Sequence, residues 1–122
     1  MTVLLISMAG GAGALLRFIA DGLIRTRFGR LFPWGTLLIN ISGSLLLGIV
    51  IGLALNHHAS PTTVLILGTG YCDGYTTFST ASFETVRFIE GQRFGIALCN
   101  ALGGLLLTIA AAALGLWLAH AY

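Results

Sequence analysis

The stretch Gly70-Tyr71-Cys72-Asp73-Gly74-Tyr75-Thr76-Thr77-Phe78-Ser79-Thr80-Ala81-Ser82-Phe83-Glu84 decides how this chain is read. It places two glycines, five serine or threonine hydroxyls and an aspartate inside a hydrophobic run long enough to cross a bilayer. Polar groups are costly in hydrocarbon, so a helix carrying so many must turn them toward a partner or an aqueous path. Transport is the first function this pattern suggests. Gly68, Gly70 and Gly74, with Asp73 and the two threonines that follow, also weaken the middle of the span. The expectation is a membrane helix broken mid-membrane, whose unwound turn frees carbonyls and amides that can hold an ion. The alternative is a continuous helix whose hydroxyls bond back to preceding carbonyls.

The rest of the chain agrees with a membrane setting. Of 122 residues, 57% are hydrophobic and 8% charged, with a mean hydropathy of +0.95. A soluble domain carries charge on roughly a quarter of its residues. Four runs reach the ~20 apolar residues that a spanning helix needs. They cover about Val3 to Leu23, Gly35 to Leu55, Thr62 to Phe88 and Phe94 to Leu118. The apolar start lacks a basic leader and reads as the first span rather than a cleavable signal. Trp34 sits where an interfacial aromatic would, and Ser60-Pro61 reads as a cap and first-turn proline for the third helix. Seventeen glycines, with Ser44, Gly48 and Gly52 at four-residue spacing, point to closely approaching helices. So do Gly10 with Ala14 and Ala9 with Gly13, which share that spacing on the first helix. The reading is an all-α membrane protein with residues 1–122 forming a single four-helix transmembrane domain. Cys72 and Cys99 lack metal-ligand spacing and read as free thiols, while His57 and His58 read as solvated loop residues.

Several polar residues fall on shared faces. Thr36, Asn40 and Ser44 form one stripe of the second helix, and the Asn40 amide offers two donors to a dehydrated anion or an interhelical bond. Asn100, Gly104 and Thr108 share a face of the fourth helix. Arg17 lies four residues before Asp21, a spacing that permits an intrahelical pair. Phe78 presents a ring whose positive edge can meet a small anion, although packing is the usual use of a lone aromatic.

Three ordered motifs give the chain a resemblance. Gly10-Gly11-Ala12-Gly13-Ala14-Leu15-Leu16-Arg17-Phe18, Gly35-Thr36-Leu37-Leu38-Ile39-Asn40-Ile41-Ser42-Gly43-Ser44 and the stretch Gly70 to Glu84 together resemble the Fluc (CrcB) fluoride channels over nearly the whole chain. That resemblance implies antiparallel dual-topology dimers with two fluoride pores, passive export of cytoplasmic fluoride, a structural sodium ion and no catalysis. It implies a pore lined by Asn40 and Phe78, with Thr77, Ser79 and Thr80 beside Phe78, and with Thr36, Ser44, Asn100 and Thr108 along the helices. It puts Arg17 in an aqueous vestibule. Sodium would be held by the carbonyls of Asp73 and Thr76. Two positions depart from the family. Ala81 stands where a second phenylalanine is expected, and Phe83, roughly 200° further round a helix, cannot replace it. Asp73 stands where glycine is usual; its carboxylate could add a sodium ligand or pair with a partner's cation, and unpaired it would protonate. The expected partners are fluoride, membrane lipid and a second subunit, with no nucleic acid.

Two rival functions share the outline. A small multidrug-resistance-like proton-coupled exporter also has four helices, but rests on a glutamate within the first; here no acid precedes Asp21. A non-conducting partner subunit would fit the departures at Asp73 and Ala81.

All six arginines, namely Arg17, Arg25, Arg27, Arg30, Arg87 and Arg93, fall in or near the first and third connections, and lysine is absent. The positive-inside rule then expects a multi-pass protein of the cell membrane with both termini outside. A dual-topology homodimer needs nearly balanced loops, so the bias suggests pairing with a paralogous subunit of opposite orientation. Terminal reporter tags on the chain expressed alone should report one orientation, N-terminus out. An even split would remove the bias argument.

Overall fold

Backbone polar groups left unpaired in hydrocarbon cost several kcal/mol each, so the apolar runs close their hydrogen bonds internally as helices. The computed structural model describes residues 1–29 and 32–121, and Arg30, counted above in the first connection, lies outside them. Helix α1 spans Thr2–Phe28 and α2 spans Trp34–Leu55. The third span is two helices, α3 over residues 61–75 and α4 over Phe78–Glu90. Helix α5 spans Phe94–His120. Three helices, α1, α2 and α5, are each long and apolar enough to cross a membrane, and no strand occurs among the described residues. With the bent α3–α4 unit they make four helices.

Local signals fix the ends. The Ser60 hydroxyl accepts from the Thr63 amide at 3.2 Å and Pro61 opens α3, as the sequence predicts. After α1 the chain turns at Gly29 with φ of 80°, a conformation in which a Cβ is disfavoured. Trp34 opens α2 with its ring 4.9 Å from Phe32 and 6.4 Å from Phe28. The observed helices run slightly beyond the expected ends, because α1 continues through Arg25 and Arg27 to Phe28.

The break falls at Thr76 and Thr77, the two threonines of the expected stretch, and not at its glycines. Both residues are extended, with φ, ψ of −81°, 160° and −147°, 123°. The glycines stay helical: Leu65–Cys72 winds in wide π-type turns, and Gly70 and Gly74 spend their missing side chains on contact. Gly74 lies against the Gly10 backbone, and Gly13 lies against the backbone of Tyr71 and Tyr75. Back-bonding does occur, from Thr76 Oγ1 to the Cys72 carbonyl at 2.8 Å, yet the helix still ends at Tyr75.

Helix α2 is the central element, with α5 along one side and the α1–α3 pair on another. The contact with α5 is a seam of small residues. A Cβ on Gly48 would meet the Ala112 backbone, and one on Gly115 would meet Leu45 and Ile49. The interior is correspondingly thin: Ile39 and Cys72 are its largest fully buried side chains. The outer surface is apolar instead, with Leu4, Leu15, Phe18, Leu106 and Trp117 all exposed. Gly115→Leu should therefore destabilise the bundle by about 1–3 kcal/mol or more, whereas Leu106→Ala on the outer face should change little. Unfolding midpoints in detergent, by heat or by titrated denaturant, check both.

Candidate functional site

The break is held open by one side chain. Asn40, on α2, donates from Nδ2 to the Thr77 carbonyl at 2.9 Å and accepts from the Thr77 amide through Oδ1 at 2.8 Å. This pairing gives Thr77 the two hydrogen bonds a helix would have given it. Thr77 then caps the next helix, its Oγ1 accepting from the Thr80 amide at 3.2 Å. The amide four residues beyond Asp73 thus belongs to Asn40, and the amide four residues beyond Thr76 belongs to the Thr77 hydroxyl. The carbonyls of Asp73 and Thr76 are released from the α-helical pattern.

Around the break the structure gathers some of the expected residues. Thr36, buried on α2 one turn before Asn40, donates to Glu84 Oε1 at 2.6 Å. Thr77, Ser79 and Thr80 form one hydroxyl cluster, with Thr77 Oγ1 3.2 Å from Thr80 Oγ1 and 3.4 Å from Ser79 Oγ. A cavity of about 250 Å³ is walled by Arg17, Asp21, Arg25, Thr36, Thr77 and Thr80, together with Phe18 and Ile39. A larger one of about 620 Å³ shares Asp21, Arg25 and Thr80 with it and adds Trp34, Glu84, Arg87 and Arg93. Asp21 pairs with Arg25, four residues on, at 3.1 Å, rather than with Arg17. An acid preceding its cation is the better helical order, and Arg17 is left on the inner cavity wall.

Other expected residues lie apart. Ser44 is half-buried and outside this hydrogen-bond network among the described residues. Thr108 donates to the Gly104 carbonyl of its own helix at 2.8 Å. Asn100 is buried, but its amide reaches the far side of α4, at the Ala81 carbonyl (3.3 Å) and Thr85 Oγ1 (2.8 Å). Phe78, the first residue of α4, is 87% exposed. Asp73 is also exposed. Sequence reasoning gave no role to Glu84, Thr85 or Tyr75, whose hydroxyl lies 2.9 Å from Ser42 Oγ. Glu84 had a signal, since an ionisable residue within a membrane span is a functional candidate by default. Thr85 and Tyr75 had none, because their partners are set by how the helices meet.

The arrangement offers groups of opposite polarity at one place. The N-terminus of the 13-residue α4 points amides and a positive dipole end at the break, with Arg17 nearby, which suits a small anion. The released carbonyls suit a hard cation. No group of three or more His, Cys, Asp or Glu side chains capable of holding a metal occurs among the described residues.

A polytopic helical protein with a broken span and an anion-suited cavity at the break is a small ion-transport fold. The chain belongs to the CrcB family, whose profile (CrcB-like protein, camphor resistance) matches residues 4–116. It is 48% identical over 118 residues to the "Fluoride-specific ion channel FluC 1" of Leifsonia xyli subsp. xyli, covering 97% of this chain and 86% of that one. It is 48% identical over 120 residues to the "Fluoride-specific ion channel FluC 2" of Cutibacterium acnes, covering 94% and 98% respectively. With the "Fluoride-specific ion channel FluC 1" of Streptomyces avermitilis it shares 40% over 121 residues, covering 99% and 98%. These relatives are ion channels and not enzymes.

Asn40→Ala removes both bonds to Thr77 and leaves a peptide group unsatisfied, which should cost about 1–3 kcal/mol of stability. Unfolding midpoints check the loss, and Asn40→Asp, which accepts but cannot donate while its carboxyl is ionised, should recover it only at a pH where that carboxyl is protonated.

Proposed function

We propose that this chain is a subunit of a fluoride-selective channel that lets cytoplasmic fluoride leave the cell passively. The observation that carries the reading is the broken third span. It aims the α4 N-terminus at a cavity walled by Arg17, Thr36, Thr77 and Thr80. Fluoride is small and strongly hydrated, so its dehydration must be offset by amide, hydroxyl and guanidinium donors at close range. The names of the relatives point to the same ion.

The working unit is a dimer of antiparallel subunits in the cell membrane. Phe78 supports this, because a ring left 87% exposed beside the polar break packs against little within one subunit. Its positive edge becomes a pore wall when a second subunit covers it. Asn40 braces the pore from behind; Ser44, Asn100 and Thr108, which lie apart from the break, would join its polar side only further along α2 and α5. A structural sodium ion fits the break: the Asp73 and Thr76 carbonyls are hard oxygen donors released from helical bonding. Two oxygens make only part of a shell, so a facing subunit would complete it. The Asp73 carboxylate, exposed beside them, adds a ligand or a charge for the partner.

The partner is a paralogous chain of opposite orientation, this chain having both termini outside. The arginine bias and Ala81 support that pairing, since one lapsed pore of two is tolerable. Ala81 also keeps open a second reading, a subunit that supports a conducting partner without conducting itself. An exporter resting on an acid in the first helix is disfavoured, because Asp21 is already paired with Arg25.

Fluoride efflux from liposomes carrying the purified chain, read with a fluoride electrode, tests the proposal. Fast efflux with negligible chloride leak is expected from the conducting assembly. Phe78→Ile should slow it about threefold to tenfold, the effect of losing ~0.5–1.5 kcal/mol of ring-edge contact. No efflux alone or with a paralogue would sink the channel reading.

A further inference from the structure

The larger cavity has a chemistry that fluoride does not require. It holds about 620 Å³, far more than a halide occupies, and its wall includes Arg25, Arg87 and Arg93 together with Phe32, Trp34, Phe83 and Phe88. The two carboxylates on that wall have partners of their own: Asp21 pairs with Arg25, and Glu84 accepts from Thr36. Arg87 and Arg93 are engaged differently. Arg87 lies 5.8 Å from the centre of the Phe83 ring, and Arg93 lies 5.4 Å from that of Phe88. A guanidinium held over a ring face is steadied there while its N–H groups stay available to an oxyanion, so it loses less freedom when it binds one.

The geometry points to this mouth as a binding site for a phosphate-class oxyanion, either free phosphate or the headgroup of an anionic phospholipid. Arginine forks match phosphate oxygens in bidentate fashion, where a halide could use only one direction at a time. Trp34 on that wall is a residue type enriched at the membrane–water interface, the depth at which lipid phosphates lie. Basic pockets between membrane helices on the arginine-rich side are a recurring form of headgroup site. The site goes beyond fluoride passage, and its occupancy can be measured without any flux.

Trp34 lies in the mouth and Trp117 is the only other tryptophan, so Trp117→Phe leaves one reporter at the site. In neutral detergent, inorganic phosphate should change Trp34 emission saturably at an ionic strength where chloride does not. Arg87→Gln with Arg93→Gln should weaken that response about tenfold or more, while Arg27→Gln, equal in charge per site but absent from the cavity wall, should leave it in place. Phosphatidylglycerol in mixed micelles, against phosphatidylcholine, separates the sources. Saturation by that lipid alone assigns a headgroup site, and saturation by inorganic phosphate assigns a site for the free ion. A saturable response to neither, or equal affinity in the double variant, overturns the proposal. Should the double variant not fold, phosphate or the lipid must protect Arg87 and Arg93, but not Arg27, of the unaltered chain from phenylglyoxal. Absence of protection overturns it equally.

Discussion

Everything distinctive in this molecule depends on the pair of hydrogen bonds between the Asn40 amide and the Thr77 peptide group. Two consecutive extended residues inside an apolar span would otherwise leave peptide groups without partners, at a cost of several kcal/mol each in hydrocarbon. A primary amide can donate and accept side by side without depending on a protonation state, so it replaces a helical neighbour in both directions. Serine or threonine in its place could satisfy one direction well and the other only by a second contact. The break therefore exists because a second helix carries the asparagine at the right height.

That height is set by the small-residue seams. Asn40 can reach Thr77 only if α2 lies close to the α3–α4 unit, and Gly43 beside it faces Thr76 and Tyr75 with no side chain of its own. On its other side α2 is clamped by Gly48 and Gly115 against α5. In hydrocarbon such seams act through dispersion contact and not through exclusion of water, so they need backbone-to-backbone approach to be effective. A bulky residue in a seam would move the asparagine as well as loosen a contact. Stability and site geometry are thus coupled through the same glycines.

The helices were legible in the sequence because hydropathy and length alone dictate them, and Ser60-Pro61 marked the start of the third span. The existence of a break was legible too, since glycines and threonines crowd that span. Its position within that stretch was not. Glycine is read locally as a weak helix former, but Gly70 and Gly74 are occupied by close approach to α1, and the chain opens where Asn40 waits for it. The same limit applies to the side chains. A helical stripe placed Thr36 and Asn40 together correctly, but periodicity cannot say which way a donor is spent. It likewise put Arg17 opposite Asp21 as a possible pair, whereas the next turn offered Arg25 in the better order.

Accounting for donors changes which groups meet the ion under the proposed function. Thr36 gives its hydroxyl hydrogen to Glu84, and Asn40 gives one of its two N–H groups to Thr77. Asn100 is turned to Ala81 and Thr85, and Thr108 to its own helix. Most of the polar stripe that looked like a set of anion ligands is therefore engaged by the protein itself. The positive groups left free near the smaller cavity are Arg17 on its wall and, at the α4 N-terminus, the Phe78 and Ser79 amides, whose neighbours Thr77 and Thr80 line it. The amides are fixed by the backbone while Arg17 reaches in on a long side chain, and among the described residues neither must break a bond to receive an anion. A fluoride ion drawing on Thr36 would have to compete with a carboxylate at 2.6 Å. The side chains that read as ligands are thus mainly the frame, and the helix N-terminus that the frame holds in place is the more available ligand.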